Sequence, residues 1–200
     1  MSPIYKNIFI YRAVMNFLYA GKYRSRFQNI IEYIEIDKTS KILELAFGDI
    51  EIAKWAKSSG IEWTGIDINE SFVSNAVKNG YQAYLKDLHL VQSFPSSDAT
   101  IIAGSLYHFH ESIDSLIGKI MDNTNVLLIS EPIKNISSST NIFGKIAKNA
   151  TNVNKGKEDF RFNEISLINR LTYLCSGKYE MKVCKRFSKD IIIKISHIQK

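Results

Sequence analysis

The chain has 200 residues, 45% apolar and 12% aromatic, enough to bury one sizeable core. Charged residues at 23% with only three prolines exclude a wholly disordered chain, and no apolar run reaches the about 18 residues that span a bilayer. The net charge of +6 is unevenly spread: residues 1–40 hold 6 basic and 3 acidic side chains (+3), 41–132 hold 6 and 12 (−6), and 133–200 hold 14 and 5 (+9).

The opening MSPIYKNIFIYRAVMNF has no basic start followed by an apolar block and a small-residue cleavage site, so a cytoplasmic protein is expected. Apolar residues at three-to-four spacing predict helices across 3–36, with Gly21 dividing them. An alternation follows. KILELA (41–46) reads as a buried strand, 50–59 as an amphipathic helix closed by Gly60, and IEWTGIDI (61–68) as a second strand. A helix over 70–79 closed by Gly80, a third strand YQAYLKDL (81–88), a turn at 95–97 and a fourth strand DATIIAG (98–104) come next. Residues 111–121 read as a helix and NVLLISEP (125–132) as a fifth strand. This β-α-β alternation predicts a parallel sheet with helices on both faces. Residues 134–160 are polar and basic, the outline of a mobile excursion on the substrate side. A helix over 163–175 and two strands, YEMKVCKRF (179–187) and DIIIKISHI (190–198), complete the chain, the strands pairing antiparallel through a turn at 188–190. One domain over 1–200 is expected, with 1–36 as a helical cover, 41–132 as the core of the site and 161–200 as the closing helix and strand pair.

In an open parallel sheet, ligands sit at the C-terminal strand ends. Those ends carry Glu44, Ala46, Gly48 and Asp49 after the first strand, Asp67 after the second, Asp87 and Leu88 after the third, Ser105 to His110 after the fourth and Glu131 after the fifth. A carboxylate about twenty residues beyond a glycine turn suits the two hydroxyls of a ribose, and Gly48 to Asp67 has that spacing. Asp87 suits an adenine amino group, with the Leu88 N–H facing a ring nitrogen.

On these residues the stretch 41–132 resembles the class I S-adenosylmethionine-dependent methyltransferases, particularly small bacterial type 11-like members. Their first motif is acidic-x-Gly-x-Gly-x-Gly. Here it reads Glu44-Leu45-Ala46-Phe47-Gly48-Asp49-Ile50, keeping only the central glycine. The resemblance implies a Rossmann-like α/β fold: a seven-stranded, mostly parallel sheet with an antiparallel C-terminal strand, helices on both faces and extra N-terminal helices. It implies S-adenosyl-L-methionine as cofactor, with Glu44 orienting its methionine end and Gly48 allowing close approach. Ala46, Phe47, Ile68 and Ser105 would complete that wall, and GSLYHF (104–109) would match the fourth motif near the transferred methyl. Tyr23 or Arg26, on the helix ahead of the first strand, would reach the cofactor carboxylate. Ala46 is expected to fit if its φ is negative, and Ile50 if it turns into the core from the helix's first turn.

For a hydroxyl acceptor, a base is needed, and His108, His110 and Tyr107 are the candidates, with Glu131 as an alternative carboxylate or a strand-end cap. His89 and His197 read as structural. No metal site is expected, because ligands at metal spacing are not offered. The acceptor is expected to be a small, anionic molecule methylated at oxygen or nitrogen, with a bacterial surface-saccharide precursor, such as one for capsular polysaccharide, preferred. Alternatives are a non-catalytic module with a degenerate loop, or an RNA-directed enzyme. The basic residues lack the interleaved aromatics that stack on bases, which argues against nucleic acid. No membrane partner is expected, and monomer and homodimer stay open.

Overall fold

A computed structural model describes residues 7–133 and 160–198. Two helices lead, α1 (Ile8–Leu18) and α2 (Tyr23–Ile31), followed by a short 3-10 turn at Ile36–Lys38. The core alternates β1 (Lys41–Leu45), α3 (Glu51–Ser58), β2 (Glu62–Asp67), α4 (Glu70–Lys78), β3 (Gln82–Leu85), β4 (Ser97–Ala103), α5 (Ile113–Met121) and β5 (Thr124–Pro132). After the segment 134–159, which lies outside the described residues, come α6 (Glu164–Cys175), β6 (Tyr179–Phe187) and β7 (Asp190–His197). The predicted excursion therefore falls almost wholly on residues about which the structure says nothing.

The seven strands form one sheet in the order β3-β2-β1-β4-β5-β7-β6. β1 to β5 are mutually parallel, β7 enters antiparallel beside β5, and β6 pairs antiparallel with β7. Successive side chains of a strand point to opposite faces, and here both faces are covered, which is why the strands read as continuous apolar runs. Leu43 and Leu45 join Ile102, Leu127 and Ile129 under α5 and α6, while Ile42 joins Ile101 and Leu128 under α2, α3 and α4. The order reverses between β1 and β4, so a crevice opens at their C-terminal ends.

Two elements differ from the sequence reading. β3 stops at Leu85 rather than 88, because Asp87 accepts the His89 N–H and its carbonyl accepts the Leu90 N–H, turning the chain off the sheet edge. Ahead of α5 a 3-10 turn, Leu106–Phe109, takes up residues after β4. Its cause is Glu131 at the end of β5, whose two carboxylate oxygens accept the Leu106 and Tyr107 N–H groups at 3.0 and 3.2 Å.

Candidate functional site

The chain leaves β1 in a left-handed turn, with φ of 50° at Ala46 and 61° at Gly48. Ala46 N–H donates to the Ile66 carbonyl at 2.7 Å, and Gly48 N–H donates to Asp67 Oδ2 at 3.1 Å. The other Asp67 oxygen accepts Asn69 N–H at 2.8 Å. Burial raises the Asp67 carboxyl to about 6, against the pull of those backbone donors. Asp67 thus ties the turn after β1 to the start of α4 and keeps lone pairs toward the crevice.

A cavity of about 280 Å³ occupies that crevice, near the lower end of the about 300–1,000 Å³ typical of small-molecule sites. Ala46, Gly48, Asp67, Ile68, Asp87, Leu88, Ser105, Tyr107 and His108 line it, so residues from four strand ends meet there. Ser105 Oγ donates to the Ala46 carbonyl at 3.3 Å and links the first and fourth ends. His89, read as structural, also lines the cavity with its ring 4.7 Å from that of Phe109. His197 is structural: its Nε2 lies 3.1 and 3.0 Å from the Met121 and Thr124 carbonyls, so that nitrogen carries the proton.

Arg26 lines the cavity too, but not as a free fork. Its Nε stands 2.6 Å from Asp190 Oδ2, and one terminal nitrogen donates to the Ser130 carbonyl at 3.2 Å. The Nε contact is between charges and lacks hydrogen-bond alignment, leaving Nε among the buried polar atoms with no hydrogen-bond partner. Arg26 and Asp190 are 4% and 2% exposed. Burial is the largest single influence and opposes the guanidinium charge, but Asp190 together with Tyr19, Tyr23 and Tyr11 outweighs it, so the group stays charged. Asp190 also accepts the Tyr19 hydroxyl at 2.9 Å and the Ser130 hydroxyl at 3.0 Å. Gly104, at φ 71°, lies directly under Arg26, and any Cβ there would collide with the guanidinium.

The lid of the cavity is α1, which contributes Tyr11, Met15 and Leu18, joined by Tyr19 just beyond it. Tyr19 stands in the segment YAGKYRSRF that the sequence offers as part of the helical cover, but Tyr11, Met15 and Leu18 were not marked, because a helical apolar stripe reads the same whether it meets core or cavity. Arg12 fixes α1 through Asp49, its Nε donating to both carboxylate oxygens at 3.2 and 3.0 Å and Nη2 to Oδ1 at 2.7 Å. A Cβ on residue 48 would stand 2.9 Å from the Tyr11 hydroxyl, so only glycine leaves that hydroxyl its place.

Several expected site residues lie elsewhere. Glu44 is fully buried behind the turn: Trp63 Nε1 donates to its Oε2 at 2.8 Å, while Oε1 has no hydrogen-bond partner among the described residues. Burial holds its carboxyl well above the ordinary range. Phe47 is turned to the opposite side from the left-handed Ala46 and packs edge-on to Trp63, ring centroids 5.2 Å apart. Tyr23 sits one helical turn before Arg26, under α1, with its ring edge-on to Tyr11 at 6.3 Å. His110 follows the 3-10 turn, stacks on Phe160 at 4.0 Å and sets Nδ1 3.1 Å from the Tyr107 carbonyl, away from the cavity wall. Glu131 is the cap already described and is not among the residues that line the cavity. Ala46 does not have negative φ, as noted, because the turn needs the left-handed conformation that a glycine would supply. Ile50 is at the helix entry and 2% exposed, buried as expected.

No protein-family model and no curated protein matches the sequence. Solved structures do. The plantazolicin methyltransferase BpumL, in complex with a monoazolic desmethylPZN analog and SAH, superposes at TM-score 0.67 with 13% identity, over 94% of this chain and 90% of that one. Human N-acetylserotonin methyltransferase in complex with SAM gives 0.66 and 16%, over 97% of this chain and 57% of that one. The S-adenosylmethionine-dependent methyltransferase SibL gives 0.62 and 12%, over 91% and 58%. The chain thus spans little more than half the length of the last two. Its fold is that of the class I S-adenosylmethionine-dependent methyltransferases.

Proposed function

We propose that the chain is an S-adenosylmethionine-dependent methyltransferase acting on oxygen or nitrogen of a small anionic acceptor. The observation that carries this reading is the meeting of Gly48, Asp67, Asp87 with Leu88, and Gly104, Ser105, Tyr107 and His108 around one cavity, in a sheet of methyltransferase topology. The residues fit the cofactor: Asp67 offers a cavity-wall carboxylate whose oxygens each accept only one backbone N–H, and Gly48 and Gly104 leave room for two polar groups of the same wall, the Tyr11 hydroxyl and the Arg26 guanidinium. Bound S-adenosylmethionine supplies a sulfonium-activated methyl group, taken by an acceptor lone pair while the broken carbon–sulfur pair stays on sulfur.

The chain's own work is positioning and proton handling. Asp67 accepts the ribose hydroxyls, Asp87 and Leu88 meet the adenine, and Arg26 gives its charge to the methionine end. His108, on the cavity wall with its ring 3.9 Å from that of Tyr107, takes the proton of a hydroxyl acceptor. Tyr107 orients that acceptor. A phosphorylated or nucleotide-linked precursor of a bacterial surface saccharide is the acceptor class preferred. A second reading, a non-catalytic module, has one observation in its favour: the Tyr11 hydroxyl over Gly48 narrows the cradle.

Calorimetry with S-adenosylhomocysteine separates the two. Binding is expected at pH 8, weakening as pH falls through about 6 because Asp67 must be ionised to accept both hydroxyls. Asp67→Ala should cost at least about tenfold in affinity, or about 1.4 kcal/mol. No heat at millimolar ligand would leave the non-catalytic module standing.

A further inference from the structure

One end of the cavity is cationic. Arg26, Arg161 and Lys189 all line it, and the buried carboxylate beside them is Asp190, already engaged by Arg26, Tyr19 and Ser130. Among the described residues no carboxylate oxygen lies within ion-pair distance of Lys189 Nζ. Burial and the positive charges of Arg26 and Arg161 lower the Lys189 pKa, with Asp190 the opposing influence, so the cations stand close enough to repel. Glu131, the other carboxyl at this end among the described residues, is raised by burial to about 8 and adds little negative charge at neutral pH.

Both outer cations are held on aromatic faces. Lys189 Nζ lies 4.1 Å from the Tyr19 ring centroid, and the Arg161 guanidinium carbon lies 3.4 Å from that of Tyr107. Ring support fixes each head group against the wall, so less side-chain entropy is lost when an anion arrives. Lys189 occupies the β6–β7 turn beside Ser188, whose φ is 56°. A methionine-type cofactor carries a sulfonium and an ammonium against one carboxylate, a net cation that adds to the positive charge already present. Lys189, with no carboxylate within ion-pair distance among the described residues, therefore has its charge to offer to the other substrate.

We propose that Lys189 and Arg161 form a subsite for an oxyanion on the methyl acceptor, a carboxylate or a phosphate, and so set which acceptors enter. This rests on the methyl-transfer reading above. Arg26, matched by Asp190, is left for the cofactor side.

The test titrates inorganic phosphate and acetate, separately, into protein saturated with S-adenosylhomocysteine, by calorimetry at low ionic strength. Wild type is expected to bind at least one of them, the tighter anion naming the source of the charge. Lys189→Met or Arg161→Met should weaken that anion about tenfold, Lys189→Arg should restore it to within about threefold, and S-adenosylhomocysteine affinity should stay within about twofold throughout. Two substitutions at separate positions keep the result readable if one variant folds poorly. The proposal is overturned if wild type binds neither anion, or if Lys189→Met weakens S-adenosylhomocysteine instead, which would hand Lys189 to the cofactor carboxylate. If wild type fails to bind S-adenosylhomocysteine at all, the methyl-transfer reading falls. The same anion titration on ligand-free protein then decides the subsite: Lys189-dependent binding upholds it and no binding overturns it.

Discussion

Ala46 holds a conformation that costs an L-residue roughly 1–2 kcal/mol, with φ at 50°. A glycine there would remove that cost and lose roughly 0.5–1 kcal/mol to backbone freedom. Ala46→Gly is therefore expected to stabilise the protein by up to about 1.5 kcal/mol, read as a small rise in the midpoint of thermal unfolding. A fall of comparable size would mean that the alanine methyl contributes more by packing than its backbone loses by strain. The sequence located this position, because the strand and helix around it are patterned, but it could not give the sign of φ. Backbone handedness at one residue depends on where the chain must go next, and the side chain is silent about it. The same limit explains Glu44, Phe47 and His110. Their places along the chain were legible, but which way each side chain points past a tight turn was not.

At the scale of elements, strands were the legible part. Each buried strand is an apolar run bounded by polar or turn residues, and the observed bounds of β1, β2, β4 and β5 fall within a residue of the runs at both ends. The helical cover was expected, but the anchor of α1 was hidden, because it rests on Arg12 meeting Asp49 across 37 residues. No residue of α1 is fully buried, and Phe9 and Phe17 are 75% and 64% exposed. A helix with so little burial leans on its anchor. Asp49→Asn keeps the side chain's size and removes its charge. It should cost about 1–3 kcal/mol, moderated by the partial exposure of Arg12, and should speed amide exchange through α1 more than elsewhere. Exchange in α1 unchanged from wild type would show that apolar contacts alone hold the lid.

Across the whole molecule, the buried carboxyls make stability depend on pH. Burial raises Glu131 from 4.5 to about 8 and Asp67 from 3.8 to about 6, and it raises Glu44 in the same direction. The folded state then binds protons more tightly than the unfolded chain, so this stability is present at low pH and is lost as pH rises through the folded values. From about pH 4.5 to 8 the loss is on the order of 5 kcal/mol. Urea unfolding of the ligand-free protein should show a higher midpoint at pH 5 than at pH 8, and Glu131→Gln should flatten the difference between pH 6 and 8. An unchanged slope in that variant would place the titration elsewhere. None of this could be read from the sequence, where Glu131 is simply a carboxylate before a proline. Order of synthesis adds a last consequence. Tyr19 and Asp190 are 171 residues apart, yet Asp190 is also the counter-charge of Arg26. A nascent chain emerging through β5 already carries every glycine and carboxylate of the cavity wall. Until β7 slides in beside β5, however, the Arg26 guanidinium can be buried only as a lone charge, which is prohibitive. The helices made ahead of the sheet must therefore wait for a strand made well after them, and this end of the site closes only once β7 has joined β5.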